Sequence, residues 1–189
     1  MEGEAFFQVT KNPQRPFLVY YNDIVTKVLG TSFTVNTNSN TGNIEVSVKT
    51  GRVQVYENEY LSEDKRSDVA VIVTPNQKAI YKKEHHLFET TLVDKPETIT
   101  TENQQRTPAA NQPLLFVFEQ EKLQSVFKSI EDSYGIEIVV ENEAINDCVF
   151  TGDVSAIDLY TKLKIICLTV NASYEINGTK ILIKGKGCS

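Results

Sequence analysis

The chain has 189 residues, 40% of them hydrophobic, and a formal net charge of −6. That length holds one large domain or two small ones with real cores, and the acidic balance argues against a nucleic-acid backbone or an anionic membrane surface as partner. No apolar run approaches the roughly 20 residues of a bilayer-spanning helix, and Met1-Glu2-Gly3-Glu4 lacks the basic and apolar regions of a signal peptide.

Residues 1–88 alternate in a β rhythm. Ala5, Phe7 and Val9 share a face, as do Phe17, Val19 and Tyr21; Phe33 and Val35, Val46 and Val48, Val53 and Val55, Val69 to Val73, and Ala79 and Tyr81 repeat the pattern. Period-two alternation puts each set on one side of a strand. The stretch "VLGTSFTV" (Val28 to Val35) reads as one such strand broken by Gly30. Turn residues recur between the runs, at Asn12-Pro13, Asn22-Asp23, Thr50-Gly51 and Pro75-Asn76. Short strands at this spacing predict a sandwich, a barrel or a β-solenoid. Residues 89–113 are rich in Thr, Asn, Gln and Pro and hold no aromatic residue, which predicts a linker and a domain boundary.

The last third, residues 114–185, changes period. Leu123, Val126, Phe127, Ile130 and Tyr134 form one stripe of an amphipathic helix, with Gly135 at the left-handed C′ position. A second helix is predicted to start at Ser155, with Asp158 three residues on and a stripe of Leu159, Leu163, Ile166 and Val170 before Asn171. The two stretches superpose at an offset of 36 residues, Leu123 on Leu159 and Gly135 on Asn171. Two strand–helix–strand units would pack two helices on one face of a small sheet. A closing hairpin turns at Asn177-Gly178 as a type I′ turn, pairing Ile176 with Thr179 and Tyr174 with Ile181. The predicted architecture is therefore an all-β domain followed by a small α+β domain of β-α-β-β-α-β-β order.

Residues that carry chemistry are sparse. His85-His86 would point to opposite faces of a strand and serve poorly as joint metal ligands. No H-E-x-x-H, G-x-S-x-G or Walker sequence occurs. Cys148, Cys167 and Cys188 form no C-x-x-C; a Cys148–Cys167 disulfide and buried free thiols remain alternatives, and "GKGC" reads as a frayed tail. The expectation is no enzyme, no cofactor, no metal and no small-molecule ligand. Binding is then the favoured class, through strand addition at an open sheet edge. An adhesin-like or glycan-binding β module is the alternative, but the Phe and Tyr residues fall on faces predicted to be buried.

"GEAFFQV" (Gly3 to Val9), "RPFLV" (Arg15 to Val19), "TKVLGTSFTV" (Thr26 to Val35), "VKTGRVQV" (Val48 to Val55) and "TPNQKAIY" (Thr74 to Tyr81) stand in the order seen in the FecR family of envelope anti-sigma factors. Residues from "LQSVFKSIEDSYGIEIVVEN" to "YEINGTKILI" resemble the FecR C-terminal domain, which is similar to the short N-terminal domain of secretins and TonB-dependent transporters. The resemblance implies a periplasmic, solenoid- or sandwich-like β domain, and a second domain that meets the signalling domain of an outer-membrane TonB-dependent transporter. The sigma factor is implied as a partner only through a cytoplasmic region and membrane helix that precede "GEAFF" in the family. Docking is expected on strand edges of the C-terminal domain, at Phe116, Phe118, Val149, Thr151, Lys180 and Leu182, with the chain otherwise a monomer.

Overall fold

The computed structural model describes residues 3–37, 41–58, 70–99 and 115–188. The chain divides into two compact units between Val93 and Asp94.

The first unit is all-β. Its strands are β1 (Gly3–Gln8), β2 (Phe17–Tyr21), β3 (Ile24–Val28), β4 (Ser32–Thr37), β5 (Ile44–Thr50), β6 (Val53–Glu57), β7 (Val71–Val73), β8 (Gln77–Lys82) and β9 (Leu87–Leu92). They form two antiparallel sheets, ordered β1-β4-β5-β8-β9 and β2-β3-β6-β7. Ile24, Val28, Val53 and Val55 of one sheet and Phe33, Val46 and Tyr81 of the other bury into a single core, so the unit is a sandwich. The chain visits the sheets alternately, mostly a hairpin at a time.

That alternation corrects the reading of "VLGTSFTV". Val28 ends β3 in one sheet and Ser32 opens β4 in the other, so Gly30 marks a crossing between sheets. Gly30 has φ 141°, and a Cβ there would lie 2.3 Å from Lys11 Cα. Only a residue without a side chain lets the crossing run this close to the strand-connecting loop.

The predicted linker 89–113 begins too early. Residues 89–92 lie in β9, which pairs along its length with β8, and Val93 N–H donates to Asn76 O at 2.9 Å. Thr90 and Thr91 suit a half-buried strand face as well as they suit a tether. Asp94 to Ile99 go with the second unit, where Ile99 N–H donates to Ser133 O. Residues 100–113 lie outside the described residues.

The second unit is α+β. Its order is β10 (Val117–Lys122), α1 (Leu123–Tyr134), β11 (Glu137–Val140), a 3₁₀ turn (Glu143–Ile145), β12 (Val149–Asp153), α2 (Leu159–Thr169), β13 (Ala172–Asn177) and β14 (Lys180–Gly185). The expected β-α-β-β-α-β-β order holds. The expected single sheet does not: β10 pairs with β12 antiparallel, while β14 lies between β11, parallel, and β13, antiparallel. The α1 stripe read from the sequence is buried in full. Leu123 and Leu159, matched by the offset of 36, each open a helix, and Gly135 (φ 64°) and Asn171 (φ 52°) both turn left-handed just beyond.

The helix starts differ in how they are capped. α2 starts at Leu159 rather than Ser155. Its N-cap is Asp158, whose carboxylate accepts from Thr161 N at 3.0 Å and from the Thr161 hydroxyl at 2.6 Å. Ser155 instead accepts from Phe116 N through its hydroxyl at 2.8 Å. α1 has Lys122 at its N-cap and no side-chain cap. Its first donors, Leu123 N and Gln124 N, reach the carbonyls of Cys148 (2.8 Å) and Asn146 (3.1 Å).

Two further expectations are corrected. The hairpin register is Asn177 with Lys180 and Ile176 with Ile181, a slip of two residues that leaves every side chain on its expected face. Gly178 alone carries positive φ (59°) at the first central position, as a type II′ turn requires. Cys148 is bonded to Cys188, with Cα atoms 5.6 Å apart, and Cys167 is a free, buried thiol. The tail is therefore held rather than frayed: Asn142 Nδ2 donates to Gly185 O and Lys186 O.

Candidate docking surface

Sheet edges follow from the strand order. Among the described residues β10, β12, β11 and β13 each have one unpaired side, and β14 has none. The six residues expected at edges divide accordingly.

Val149 and Thr151 lie on β12, at an open edge. Val149 is 52% exposed, Thr151 is exposed, and Phe150 between them is buried against Phe118 at a ring distance of 6.0 Å. Phe118 sits half-buried on β10 beside a bulge at Gln120 (φ 51°), whose N–H donates to Thr151 Oγ1 at 2.8 Å. A bulge bends and twists an edge away from regular pairing. β12 is regular, so it is the better template of the two.

Phe116 precedes β10 and is buried. Its ring stacks on Tyr134 (6.1 Å) and lies under the Lys162 ammonium, 4.8 Å from the ring centre. It is a core anchor, and no partner reaches it. Lys180 and Leu182 lie on the central strand β14 and so have no free backbone edge. Instead they face solvent with Val139 of β11. Val139 and Leu182 are register partners at the centre of this face, flanked by the Lys180–Glu137 pair (2.8 Å) and by Lys184 with Glu175 (2.6 Å). A small apolar centre with charged flanks has the anatomy of a modest binding patch.

Sequence reasoning missed other features of this unit. Lys162 is 1% exposed on α2, where it donates to the carbonyls of Ser155 (3.2 Å) and Ile157. Burial holds its ammonium below the ordinary lysine range. Its position three residues after Leu159, on the buried stripe, was the available signal. Leu168 is 66% exposed, next to Ile165 on the outer face of α2. The extra apolar residues of "LYTKLKIICLT" were visible, but they read as core until the helix was placed.

In the β unit a polar cluster joins the two sheets. Tyr81 of β8 donates to Glu57 of β6 at 2.5 Å, and His86 Nδ1 lies 3.0 Å from the Tyr81 hydroxyl and 3.1 Å from Glu57. Burial and the Glu57 carboxylate push the Tyr81 phenol well up. The group satisfies the buried Glu57 carboxylate. A nearby cleft of about 410 Å³ is lined by Thr41, Asn43, Lys82, Glu84, His85 and Glu89. It lacks the apolar walls of a small-molecule site. Phe6 (58% exposed), Phe17 and Tyr20 (60%) are solvated, against the expectation that the rings are buried. They do not form one platform: Phe17 and Tyr20 fall on opposite faces of β2, and Phe6 lies in the other sheet.

The model of the FecR protein matches residues 1–54, and that of the FecR C-terminal region matches residues 115–183, from just before β10 into β14. The chain belongs to the FecR family. Two crystal structures of a candidate anti-sigma factor from Parabacteroides distasonis, at 1.65 and 2.50 Å resolution, are similar to it. They show 24% identity and a TM-score of 0.39, over 98% of this chain and 79% and 78% of theirs. No curated protein matches.

Proposed function

We propose that this FecR-family chain is the periplasmic signal-receiving region of a membrane-anchored anti-sigma factor. It relays the state of an outer-membrane TonB-dependent transporter when that transporter's signalling domain docks on the α+β unit. The observation that carries this reading is the regular, open edge of β12, with Val149 and Thr151 exposed on it, in the unit that matches the FecR C-terminal model. Backbone pairing along such an edge supplies affinity without special side chains. Residues 94–189 hold 14 acidic and 9 basic residues, so the edge favours a partner strand flanked by lysine or arginine. The Cys148–Cys188 bond supports an oxidising compartment such as the periplasm.

The test is an amide titration of the full chain with a purified transporter signalling domain. Shifts centred on Val149 to Asp153 are expected, and Val149→Lys should weaken binding at least about tenfold. Shifts confined to the β unit, or no binding, would remove the docking reading. Binding that ignores Val149→Lys would move it to the Val139–Leu182 face.

A further inference from the structure

We propose that the Cys148–Cys188 bond is a thiol-exchange site, and that its reduction by a dithiol releases the cap of α1. The observation behind this is that α1 does not cap itself. Lys122 supplies no side-chain acceptor, and the helix's first two N–H groups depend on the carbonyls of Asn146 and Cys148. That short segment is held from below by the 3₁₀ turn, through Asn146 N to Glu143 O and Cys148 N to Ile145 O. It is held from the other side by the disulfide to Cys188, which follows β14. An external cap tied by a cleavable bond couples the redox state of that bond to the first helical turn.

The two sulfur atoms are placed for directional exchange. Cys148 is buried and Cys188 is an exposed residue, so an incoming thiolate has access to the Cys188 side. The thiolate attacks Cys188 Sγ and forms a mixed disulfide. The Cys148–Cys188 bond breaks, and its electron pair leaves on Cys148 Sγ. Cys188 N–H lies 2.8 Å from that sulfur and stabilises the leaving thiolate. Cys148 then takes a proton, and Ala144 O, 3.5 Å away, can accept from the new thiol. The second thiol of the reductant attacks the mixed disulfide and frees Cys188 as a thiol. The protein gains two electrons and two protons, and the dithiol leaves as its own disulfide. Cys167, buried and with its thiol pushed up to about 11, does not compete.

Loss of the tie to Cys188 loosens residues 146–148, and with them the first turn of α1 and the Lys122–Val149 end of the β10–β12 pair, while Asn142 keeps its bonds to Gly185 O and Lys186 O. The local fraying stands on its own. Its effect on partner binding at β12 rests on the docking reading above.

The test is hydrogen exchange on the full chain, oxidised and after treatment with about 10 mM dithiothreitol, with thiol alkylation and mass measurement to confirm which cysteines react. Reduction of Cys148 and Cys188 with roughly tenfold faster exchange at Leu123 and Gln124, and little change at Phe127 and Ile130, is the expected result. Lys122→Ser gives α1 the kind of cap that α2 has at Asp158, on a backbone of nearly the same angles (φ −64°, ψ 140° against φ −68°, ψ 163°). An N-cap hydroxyl accepts from the second or third helical N–H, Gln124 or Ser125, so in that variant reduction should speed exchange at Gln124 less than in the wild type. A bond that resists the dithiol under native conditions would overturn the proposal. So would equal loosening across the whole unit, or fraying at Gln124 that Lys122→Ser does not reduce. No partner is needed for this readout, so a failure here leaves docking untouched, and failed docking leaves this result standing.

Discussion

Truncating Lys162 to alanine should destabilise the α+β unit by about 3 kcal/mol, and Lys162→Met by about 1–2 kcal/mol. The ammonium closes the loop between β12 and α2 by donating to Ser155 O and Ile157 O, and it roofs the Phe116 ring at 4.8 Å. Alanine removes the donors, the ring contact and the packed stem together. Methionine restores most of the stem but leaves two carbonyls short of a donor. These lie in a partly solvated loop, where water recovers part of the loss. Hydrogen exchange of the unit's slowest amides in the full chain measures both variants without assuming that the two units unfold together. The pH dependence is a second readout. Burial lowers the Lys162 pKa from its ordinary 10.5, so between the lowered value and 10.5 the unfolded chain binds the extra proton. The wild type should therefore gain stability relative to Lys162→Met as pH rises through that window, and hold a constant difference below it. If Lys162→Met costs nothing, or the difference is flat through the window, Lys162 is a surface residue in effect and this account of the loop is wrong.

Three further outcomes are expected. Gly30→Ala should prevent the β unit from folding, or cost at least about 3 kcal/mol, because its Cβ would overlap the Lys11 backbone at positive φ; soluble yield and thermal melting check it. Thr31→Val should raise stability by up to about 1 kcal/mol in denaturant melts, since the Thr31 hydroxyl is buried without a hydrogen-bond partner; a loss of that size would reveal one. Tyr81→Phe should cost about 2 kcal/mol, because it removes a donor from the buried Glu57 carboxylate, and urea denaturation would show no change if water takes its place.

The parts of this fold that the sequence made legible are those where one face is wet and the other dry. Leu123 to Tyr134 showed its stripe, and "FTV", "EVSV" and "VQV" showed theirs, because solvent enforces the alternation. β3 did not appear as a strand: Ile24, Val25, Thr26 and Val28 are all buried, so both faces are dry and the period vanishes. β9 was hidden by threonines that a composition count assigns to a tether. Ser155 and Asp158 are both good capping residues, and only the position of Leu159 on the buried face decides between them. All the candidate docking residues but Phe116, which precedes β10, were legible as strand members but not as edges. Whether Leu182 or Val149 ends a sheet depends on which strands pair, and β14 enters between β11 and β13 from far along the chain.

The offset of 36 residues exposes a division of labour that neither half shows alone. Both helices open on a leucine, close on a left-handed residue and feed a strand of the same three-stranded sheet. Their solvent faces and their starts differ. α2 caps itself at Asp158 and turns Ile165 and Leu168 outward, whereas α1 has a polar outer face and borrows its cap from the segment that leads into β12. The self-sufficient half can hold the unit together while the dependent half changes. The strand proposed to meet a partner begins one residue after Cys148, whose carbonyl holds α1 and whose sulfur holds the tail. A pull on β12 therefore acts first on the least self-supporting helix turn of the unit, which is where a docking event would have to register if it is to be passed on.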